Sequence, residues 1–224
     1  MPKNKLKRYS EVTELNNVIE LAHFAPGDHS EVRGNWNREI FCNENPITLE
    51  LACGKGDYLL ALACRFPQRN FVGIDIKGDR LWKGAQYASD HDLDNVRFLR
   101  VFIDHIENYF APGEVSEIWI TFPDPYTSTT KENKRLTSPN FLKKYRQILQ
   151  TGGPVHLKTD NRGLYDYTHE TLDTEQGLVL EFTDDVYNAP EVPDLLSIKT
   201  YYEKKHLQAG RTIKYVKFCF RQAS

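Results

Sequence analysis

The sequence predicts an α/β fold whose central sheet is mostly parallel and ends in antiparallel strands. Three observations support this prediction. After about residue 46, short apolar segments alternate with amphipathic ones, a pattern typical of βαβ units. The chain has 224 residues, enough for one such domain with a sizeable core. Near the C-terminus two strand-like segments follow one another, and an antiparallel pair added to a parallel sheet explains them most simply.

The elements follow in chain order. Residues 1–45 are predicted to be a helical or irregular N-terminal extension with a basic start, either covering the sheet or forming a mobile arm, and residues 46–224 are predicted to be the main domain. Apolar runs predict parallel strands at Ile47–Cys53, Asn70–Ile76, Val96–Phe102, Glu117–Phe122 and Pro154–Thr159. Amphipathic segments predict helices at Tyr58–Phe66, Asp79–Ser89, Pro139–Leu149 and Leu164–Leu172. The two late strands are predicted at Leu178–Asp185 and Ile213–Arg221.

Composition excludes several classes of protein. The formal net charge is −2, so any nucleic-acid binding must come from local basic clusters, each of which could also be an ordinary solvated surface. The four cysteines lack metal-ligand spacing and a disulfide pattern, so we expect no metal site. The sequence has no signal peptide and no apolar span of about twenty residues, which predicts a soluble cytoplasmic protein without membrane contact. No serine lies in a Gly-x-Ser-x-Gly elbow, which disfavours a hydrolase.

A glycine turn follows the first predicted parallel strand, in the segment Leu-Glu-Leu-Ala-Cys-Gly-Lys-Gly at 49–56. Gly54 and Gly56 would let a ligand approach the backbone and the N–H groups of the next helix. The third glycine of the dinucleotide fingerprint is absent, so the turn suits a nucleoside with a small tail better than a pyrophosphate. An ordinary strand-to-helix turn is the alternative.

Acidic residues follow the next two strands. Asp75 lies about twenty residues beyond the glycine turn, where an acid accepts hydrogen bonds from ribose hydroxyls, although a helix cap is the alternative. After the third strand, Phe102 or Ile103 could pack on an adenine and Asp104 could accept from its amino group. Asp104 could equally cap a short helix. Together these signals predict a nucleoside-containing cofactor.

The segment 117–137 carries the strongest signal. An apolar strand stops at Pro123, and Asp124 is held between Pro123 and Pro125, which restrict the backbone on both sides. A stiff carboxylate at the end of a strand is pre-positioned for a ligand. A polar and partly basic segment follows at once, from Thr127 to Arg135. This arrangement suggests a reacting group held next to a polyanion.

These segments together resemble the bacterial tRNA (guanine-N7)-methyltransferase family from about residue 40 to the end. Besides the glycine turn and Gly73-Ile-Asp75, the resemblance rests on Phe122-Pro-Asp-Pro-Tyr126, Lys134-Arg-Leu-Thr137, His156-Leu-Lys-Thr-Asp-Asn161 and Thr200-Tyr-Tyr-Glu203. It implies a Rossmann-like class I methyltransferase fold. It also implies transfer of a methyl group from S-adenosylmethionine to N7 of a guanine in the tRNA variable loop.

The resemblance also implies roles for individual residues. Asp124 would be the catalytic acid shared between cofactor and target guanine. The implied cofactor-binding acids are Glu50 near the methionine end, Asp75 on the ribose and Asp124. The predicted cofactor-binding set also includes residues suggested by the strand ends and the glycine turn: Gly54, Gly56, Phe102, Ile103 and Asp104. The implied substrate-binding set is Lys131, Asp160, Thr200, Tyr201, Tyr202 and Glu203, with Lys134 and Arg135 on the tRNA backbone. Thr127–Thr130 stand where relatives commonly have a lysine, so Lys131 either takes over that role or the role is lost.

The chemistry agrees with this interpretation. Guanine N7 has a free lone pair and the sulfonium methyl is already activated, so positioning and electrostatics suffice without a metal or a strong base. The target base would leave its stack to reach the pocket, and tyrosines could stack on it. Alternatives are a methyltransferase of the same fold acting on a small molecule, a non-catalytic RNA-binding relative and, least favoured, a dinucleotide oxidoreductase. We expect a monomer or a weak homodimer.

Overall fold

Eight strands form one sheet in the computed structural model, which describes residues 3–21, 30–188 and 191–221. In chain order the strands are β1 Val18–Glu20, β2 Ile47–Leu51, β3 Asn70–Ile74, β4 Val96–Arg100, β5 Val115–Thr121, β6 Val155–Thr159, β7 Gly177–Thr183 and β8 Lys214–Phe220. Their spatial order is β1-β4-β3-β2-β5-β6-β8-β7. Strand β8 runs antiparallel to both β6 and β7, and the other pairings are parallel. The predicted fold class is therefore confirmed.

Six α-helices accompany the sheet within the described ranges. They are α1 Lys3–Glu11, α2 Asp57–Arg65, α3 Gly78–Asp90, α4 Pro139–Ile148, α5 Arg162–Thr174 and α6 Tyr201–Gln208. Short 3₁₀ segments cover Val12–Glu14, Ile103–Asn108 and Thr129–Lys134, and a π-helical turn covers Trp36–Phe41. In those same ranges, no helix combines the length and apolar character that crossing a membrane requires.

Two apolar clusters lie on the two faces of the sheet, because successive side chains of a strand point in opposite directions. On one face, Leu49 and Ile118 belong to a cluster that includes side chains of α4 and α5. On the other, Phe98 and Trp119 belong to a cluster that includes side chains of α2 and α3. Strand β2 is buried along its whole length, as expected for the centre of the sheet.

The predicted parallel strands are present, but four of them end one or two residues early. Strand β2 stops at Leu51 because Ala52 has φ +55°, and β5 stops at Thr121 because Phe122 has φ +50°. A left-handed conformation at a residue with a Cβ costs about 1–2 kcal/mol and turns the chain out of the sheet. The residues that leave the sheet in this way form the edge where the candidate site lies.

Two elements were not predicted. Strand β1, within the predicted N-terminal extension, pairs in parallel with β4 and so forms an edge of the sheet. Residues 22–29 of the same extension lie outside the described residues. Helix α6 begins at Tyr201, in the segment that the sequence interpretation assigned to substrate binding. Its N-cap, Thr200, accepts a hydrogen bond from the backbone N–H of Glu203 at 3.1 Å.

Candidate active site

The candidate site lies at the carboxyl edge of the sheet, where the strand order reverses between β2 and β5. In open α/β sheets, ligands bind in the crevice at such a switch point. A cavity of about 420 Å³ occupies this edge. Its lining includes Asp75 after β3, Phe102, Ile103 and Asp104 after β4, and Pro123, Asp124 and Tyr126 after β5. The structure thus brings together the acids that the sequence placed at three separate strand ends.

The glycine turn at 54–56 borders a narrower cleft beside this cavity, which Gly54 and Lys55 line. Gly54 and Gly56 have φ values of +60° and +70°, which favour glycine. A Cβ built on Gly56 would lie 2.9 Å from the ring of Phe98. A Cβ built on Gly84 of α3 would lie only 2.3 Å from the carbonyl oxygen of Lys55. Helix α3 therefore packs directly against the turn. Neither Gly56 nor Gly84 tolerates a side chain without displacing its neighbours.

Asp75 joins the glycine turn to the start of α3. Its Oδ2 accepts a hydrogen bond from the N–H of Gly54 at 3.0 Å, and its Oδ1 accepts one from the N–H of Lys77 at 2.8 Å. A carboxylate can accept about four hydrogen bonds, so further acceptor positions remain for a ligand in the cavity. The N-cap of α3 is Lys77 and not Asp75. The observed contacts therefore favour a site role over simple helix capping.

Glu50 lies at the base of a narrower cleft of about 70 Å³ beside the main cavity. The side chain is buried, and it accepts hydrogen bonds from the hydroxyl of Thr121 at 2.6 Å and from the N–H of Leu59 at 3.0 Å. Burial is the largest effect on this carboxyl and raises its pKa to about 8. A buried carboxyl with this pKa is poised to ionise when a cation enters the cleft.

The end of β4 presents an apolar ring and an exposed acid to the main cavity. Phe102 is 46% exposed and lines the main cavity, so part of its ring faces the space that a flat ligand would occupy. Asp104 is exposed, and among the described residues no hydrogen bond of its side chain is found. The short helix over Ile103–Asn108 has Phe102 as its N-cap. The alternative in which Asp104 caps this helix is therefore not observed.

The Pro-Asp-Pro segment leaves β5 in a strained conformation. Phe122 and Tyr126, on either side of Asp124, have φ values of +50° and +40°. Asp124 itself is exposed at the rim of the cavity. Backbone strain of this kind persists only where the surroundings enforce it, and it clusters at functional sites. The geometry agrees with the expectation of a carboxylate held rigidly at the end of a strand.

Arg135 holds this segment in place. Its Nε and Nη2 donate to the carbonyl oxygen of Tyr126 at 3.2 and 3.1 Å, and its guanidinium lies 4.2 Å from the ring centroid of Tyr167. A further N–H donates to Glu132 at 2.9 Å. The side chain is only 8% exposed. This position disfavours the predicted contact of Arg135 with the tRNA backbone, because the guanidinium is buried and engaged within the protein.

The two lysines predicted nearby differ in position. Both belong to the short helix over Thr129–Lys134. Lys134 lines the main cavity, whereas Lys131 is exposed and does not line it. Lys134 therefore shares the lining of the main cavity with Asp124, together with Lys77 and Arg80.

Three of the predicted guanine-binding residues are engaged in internal contacts. Thr200 caps α6, and Asp160 accepts from Arg211 at 2.6 Å and lies 3.2 Å from Nδ1 of His206. Glu203 is completely buried, with its Oε1 2.7 Å from Nζ of Lys158. This position disfavours the prediction that Glu203 binds the base, since no part of its side chain is accessible.

Tyr201 and Tyr202 differ from these residues, because each is almost half exposed. Both line the cleft next to Glu50. Their predicted role, stacking on a base, is compatible with this position.

Sequence reasoning missed two basic residues, one buried next to Glu203 and the other at the site. Lys158 is fully buried, and its ammonium group also donates to the carbonyl oxygens of Leu196 and Ile198 at 2.6 and 3.1 Å. Arg80, on the first turn of α3, lines both the main cavity and the cleft of Glu50. Lys158 stands within a quoted motif, whereas nothing in the sequence singles out Arg80. Among the described residues, no group of three His, Cys, Asp or Glu side chains could hold a metal ion.

Comparisons with known proteins agree with this geometry. A family model described as "Putative methyltransferase" matches residues 44–216. Among curated proteins, the tRNA (guanine-N(7)-)-methyltransferase of Bacteroides fragilis is 44% identical, covering 99% of this chain and 88% of the relative. The enzyme of that name from Porphyromonas gingivalis is 48% identical over 84% of this chain and 76% of its own length. That from Bacillus subtilis is 34% identical over 88% of this chain and 90% of its own length.

Solved structures show the same fold at low identity. The 16S rRNA methyltransferase KamB superposes with a TM-score of 0.65 at 11% identity, covering 87% of this chain and 95% of that one. The 16S rRNA (adenine(1408)-N(1))-methyltransferase of Catenulisporales acidiphilia was solved with cosubstrate SAM. It superposes with a TM-score of 0.62 at 13% identity, covering 91% of this chain and 95% of that one.

The sheet order, the glycine turn and the acids at successive strand ends thus define a Rossmann-like methyltransferase. The curated relatives narrow this class. The chain belongs to the tRNA (guanine-N(7)-)-methyltransferase family.

Proposed function

We propose that the protein transfers the methyl group of S-adenosylmethionine to N7 of a guanine in tRNA, in the variable loop. The name shared by the curated relatives supports the reaction and the substrate. The single observation that carries the proposal is the cavity at the switch point, which brings Asp75, Asp104 and Asp124 to one rim. Its volume of about 420 Å³ is in the range of small-molecule sites. This substrate would place the activity in the cytoplasm.

The described residues fit each part of this cofactor. Asp75 would accept from the ribose hydroxyls, and the exposed ring of Phe102 would pack on the adenine with Ile103. Asp104 has free acceptors for the adenine amino group. At the other end, the turn at Gly54 and Gly56 would approach the methionine part, whose ammonium group would meet the carboxyl of Glu50. The cofactor supplies a methyl group on a sulfonium, already activated for transfer.

The chain's own task is then to position the guanine. Asp124, at the rim of the cavity, would accept hydrogen bonds from N1–H and the 2-amino group of the base. This contact fixes the orientation of N7 and favours the positive charge that develops on the ring during transfer. Lys134 would contact the neighbouring phosphate, and Tyr201 or Tyr202 would stack on the extruded base. Lys131 and Asp160 complete the proposed substrate side, with Arg135 and Glu203 acting through the segments that they hold.

Labelled S-adenosylmethionine and an unmodified tRNA transcript test the proposal directly. We expect label to enter the tRNA, and reductive strand cleavage at N7-methylguanosine to map it to one guanine of the variable loop. A matched transcript with adenosine at that position should remain unlabelled. Binding of the cofactor without transfer to any tRNA would contradict the proposal and favour a small-molecule methyltransferase. Failure to bind the cofactor, measured by titration calorimetry, would favour a non-catalytic RNA-binding protein.

A further inference from the structure

A second basic surface lies beside the candidate active site, and most of its lysines lie outside the sequence motifs. Its lysines come from three distant segments: the glycine turn, helix α3, and the residues before and within α6. They surround an open groove of about 510 Å³ between α2, α3 and α6. We call this the lysine groove, and its charged rim consists of Lys55, Lys83, Lys199, Lys204 and the adjacent Lys205.

The positive charge of the lysine groove is not neutralised internally. In the ranges that the structure describes, no acidic side chain lies within ion-pair distance of any of its five lysines. Asp57 is the acidic residue in the lining, and one of its oxygens accepts the backbone N–H of Tyr201 at 2.9 Å. A protein with a net charge of −2 thus gathers five cations around one concave surface. Such a concentration of like charge attracts a polyanion.

An exposed aromatic ring lies among these cations. The ammonium groups of Lys55 and Lys205 lie 4.4 and 4.7 Å from the centroid of the Tyr201 ring. Tyr201 is 45% exposed, so its ring remains accessible beside them. Cationic side chains interleaved with an accessible aromatic ring are typical of surfaces that bind single-stranded nucleic acid.

The lysine groove is continuous with the candidate active site. Lys55, Asp57 and Tyr201 line both the groove and the cleft of Glu50. That cleft in turn shares Arg80 and Phe122 with the main cavity. A chain lying in the groove would therefore run directly to the place where the methyl group is transferred.

From these observations we propose that the lysine groove binds the phosphates of the tRNA strand that flanks the target guanine. The inference rests on the proposed function and adds the surface that receives the substrate. Lysine ammonium groups contact phosphates as point charges and do not read the sequence. The groove therefore contributes affinity and orientation, while Asp124 and the tyrosines contact the base.

The test compares two double variants with the same change in charge. Lys83→Gln/Lys204→Gln removes two cations from the lysine groove. Lys143→Gln/Lys217→Gln is the control, because these residues lie on α4 and β8 and neither lines the groove. Binding of a fluorescent tRNA transcript is measured by anisotropy over a series of KCl concentrations. Cofactor binding is measured by titration calorimetry, and unfolding curves check that both variants are folded.

We expect the groove variant to bind tRNA about tenfold more weakly at low salt, with unchanged cofactor affinity. The slope of log K against log[salt] should become shallower by about 1.5, because each lost phosphate contact removes about 0.7–0.9. The KM for tRNA should rise, while kcat at saturating tRNA stays within about twofold. The control should match the wild-type protein in every measurement.

The inference is overturned by a groove variant that binds tRNA like the control, or by one that binds more weakly with an unchanged salt slope. The proposed function fails separately, if the wild-type protein binds tRNA but transfers no label. If the wild-type protein methylates tRNA and the groove variant does so with unchanged KM, the proposed role of the lysine groove is refuted while the proposed function stands.

Discussion

Replacing Glu203 by Gln distinguishes a buried structural role from the substrate contact that the sequence suggested. The change removes the negative charge opposite Lys158 and keeps the shape of the side chain. Lys158 and Glu203 are both fully buried, and their charged atoms lie 2.7 Å apart. The ammonium group retains its contacts with the carbonyl oxygens of Leu196 and Ile198. The Tyr187 hydroxyl also donates to Oε1 of Glu203 at 2.7 Å, and the amide oxygen of Gln can accept that hydrogen bond. The main loss in the variant is therefore the charge opposite the buried cation.

The structure sets the size of the effect. Breaking a buried ion pair by removing one charge costs about 3–5 kcal/mol. The cost also has an upper limit, because the lysine can lose its proton instead. Neutralising it at pH 7, from the ordinary pKa of 10.5, requires about 5 kcal/mol at about 1.36 kcal/mol per unit. We therefore expect the free energy of unfolding at pH 7 to fall by about 3–5 kcal/mol.

The pH dependence identifies the mechanism. Burial already lowers the pKa of Lys158 in the wild-type protein, and loss of Glu203 lowers that pKa further. At pH values between the pKa of Lys158 in the folded protein and its ordinary pKa of 10.5, the unfolded chain binds more protons than the folded one. The free energy of unfolding therefore rises with pH in this range. The deficit of the variant should accordingly shrink between pH 7 and pH 10, by at most about 1.4 kcal/mol per pH unit.

Urea unfolding followed by tryptophan fluorescence at pH 7, 8.5 and 10 measures these quantities. Glu170→Gln is the matched control: Glu170 is exposed on α5, and its substitution should change stability by less than about 0.5 kcal/mol. A deficit below about 1 kcal/mol, or one independent of pH, would refute the reasoning. Lost tRNA methylation at wild-type stability would restore Glu203 as a substrate contact.

Three further predictions concern the site. Asp124→Ala should reduce methylation at least about 100-fold. Since Asp124 is exposed, the variant should change the free energy of unfolding by less than about 0.5 kcal/mol. Near-normal turnover of the variant would contradict the proposed role of Asp124. Because burial raises the pKa of Glu50 to about 8, binding of a cationic cofactor at pH 7 should release up to about one proton. Calorimetry in two buffers of different ionisation enthalpy measures this release, and Glu50→Gln should abolish it. Arg135→Gln should cost about 1–3 kcal/mol of stability by removing the paired hydrogen bonds to the Tyr126 carbonyl, with an unchanged salt slope of tRNA binding. A shallower slope would show that Arg135 contacts phosphate, because the variant has lost the positive charge.

Much of the fold could be predicted because its strands carry a local signal. A central strand such as β2 is a continuous apolar run between turn residues, and the predicted position of every such strand is confirmed. Strand β1 could not be predicted in this way, because it has three residues and pairs only at the edge. Helix α6 is largely exposed and polar, so its sequence lacks the apolar periodicity that marks a helix.

The site was predictable where the chain itself restricts the backbone. Asp124 between two prolines, and Asp75 at its distance from the glycine turn, lie at the cavity as expected. Arg135 and Glu203 are buried by residues far away in sequence. Their residue types alone therefore did not indicate that these charged side chains are buried. The lysine groove was overlooked for the same reason, since its members are brought together only by folding.

The close contact between Gly84 and the carbonyl oxygen of Lys55 explains how two glycines suffice in the turn. In the dinucleotide fingerprint, the third glycine allows a helix to pack closely against the strand. Here a glycine of α3, the helix after β3, gives the turn a similarly close neighbour, so close packing at the turn comes from a glycine distant along the chain. A search that requires all three glycines in one segment would overlook this protein. A substitution at Gly84, a position not among those lining the main cavity, would act on the cofactor end of the site from a distance.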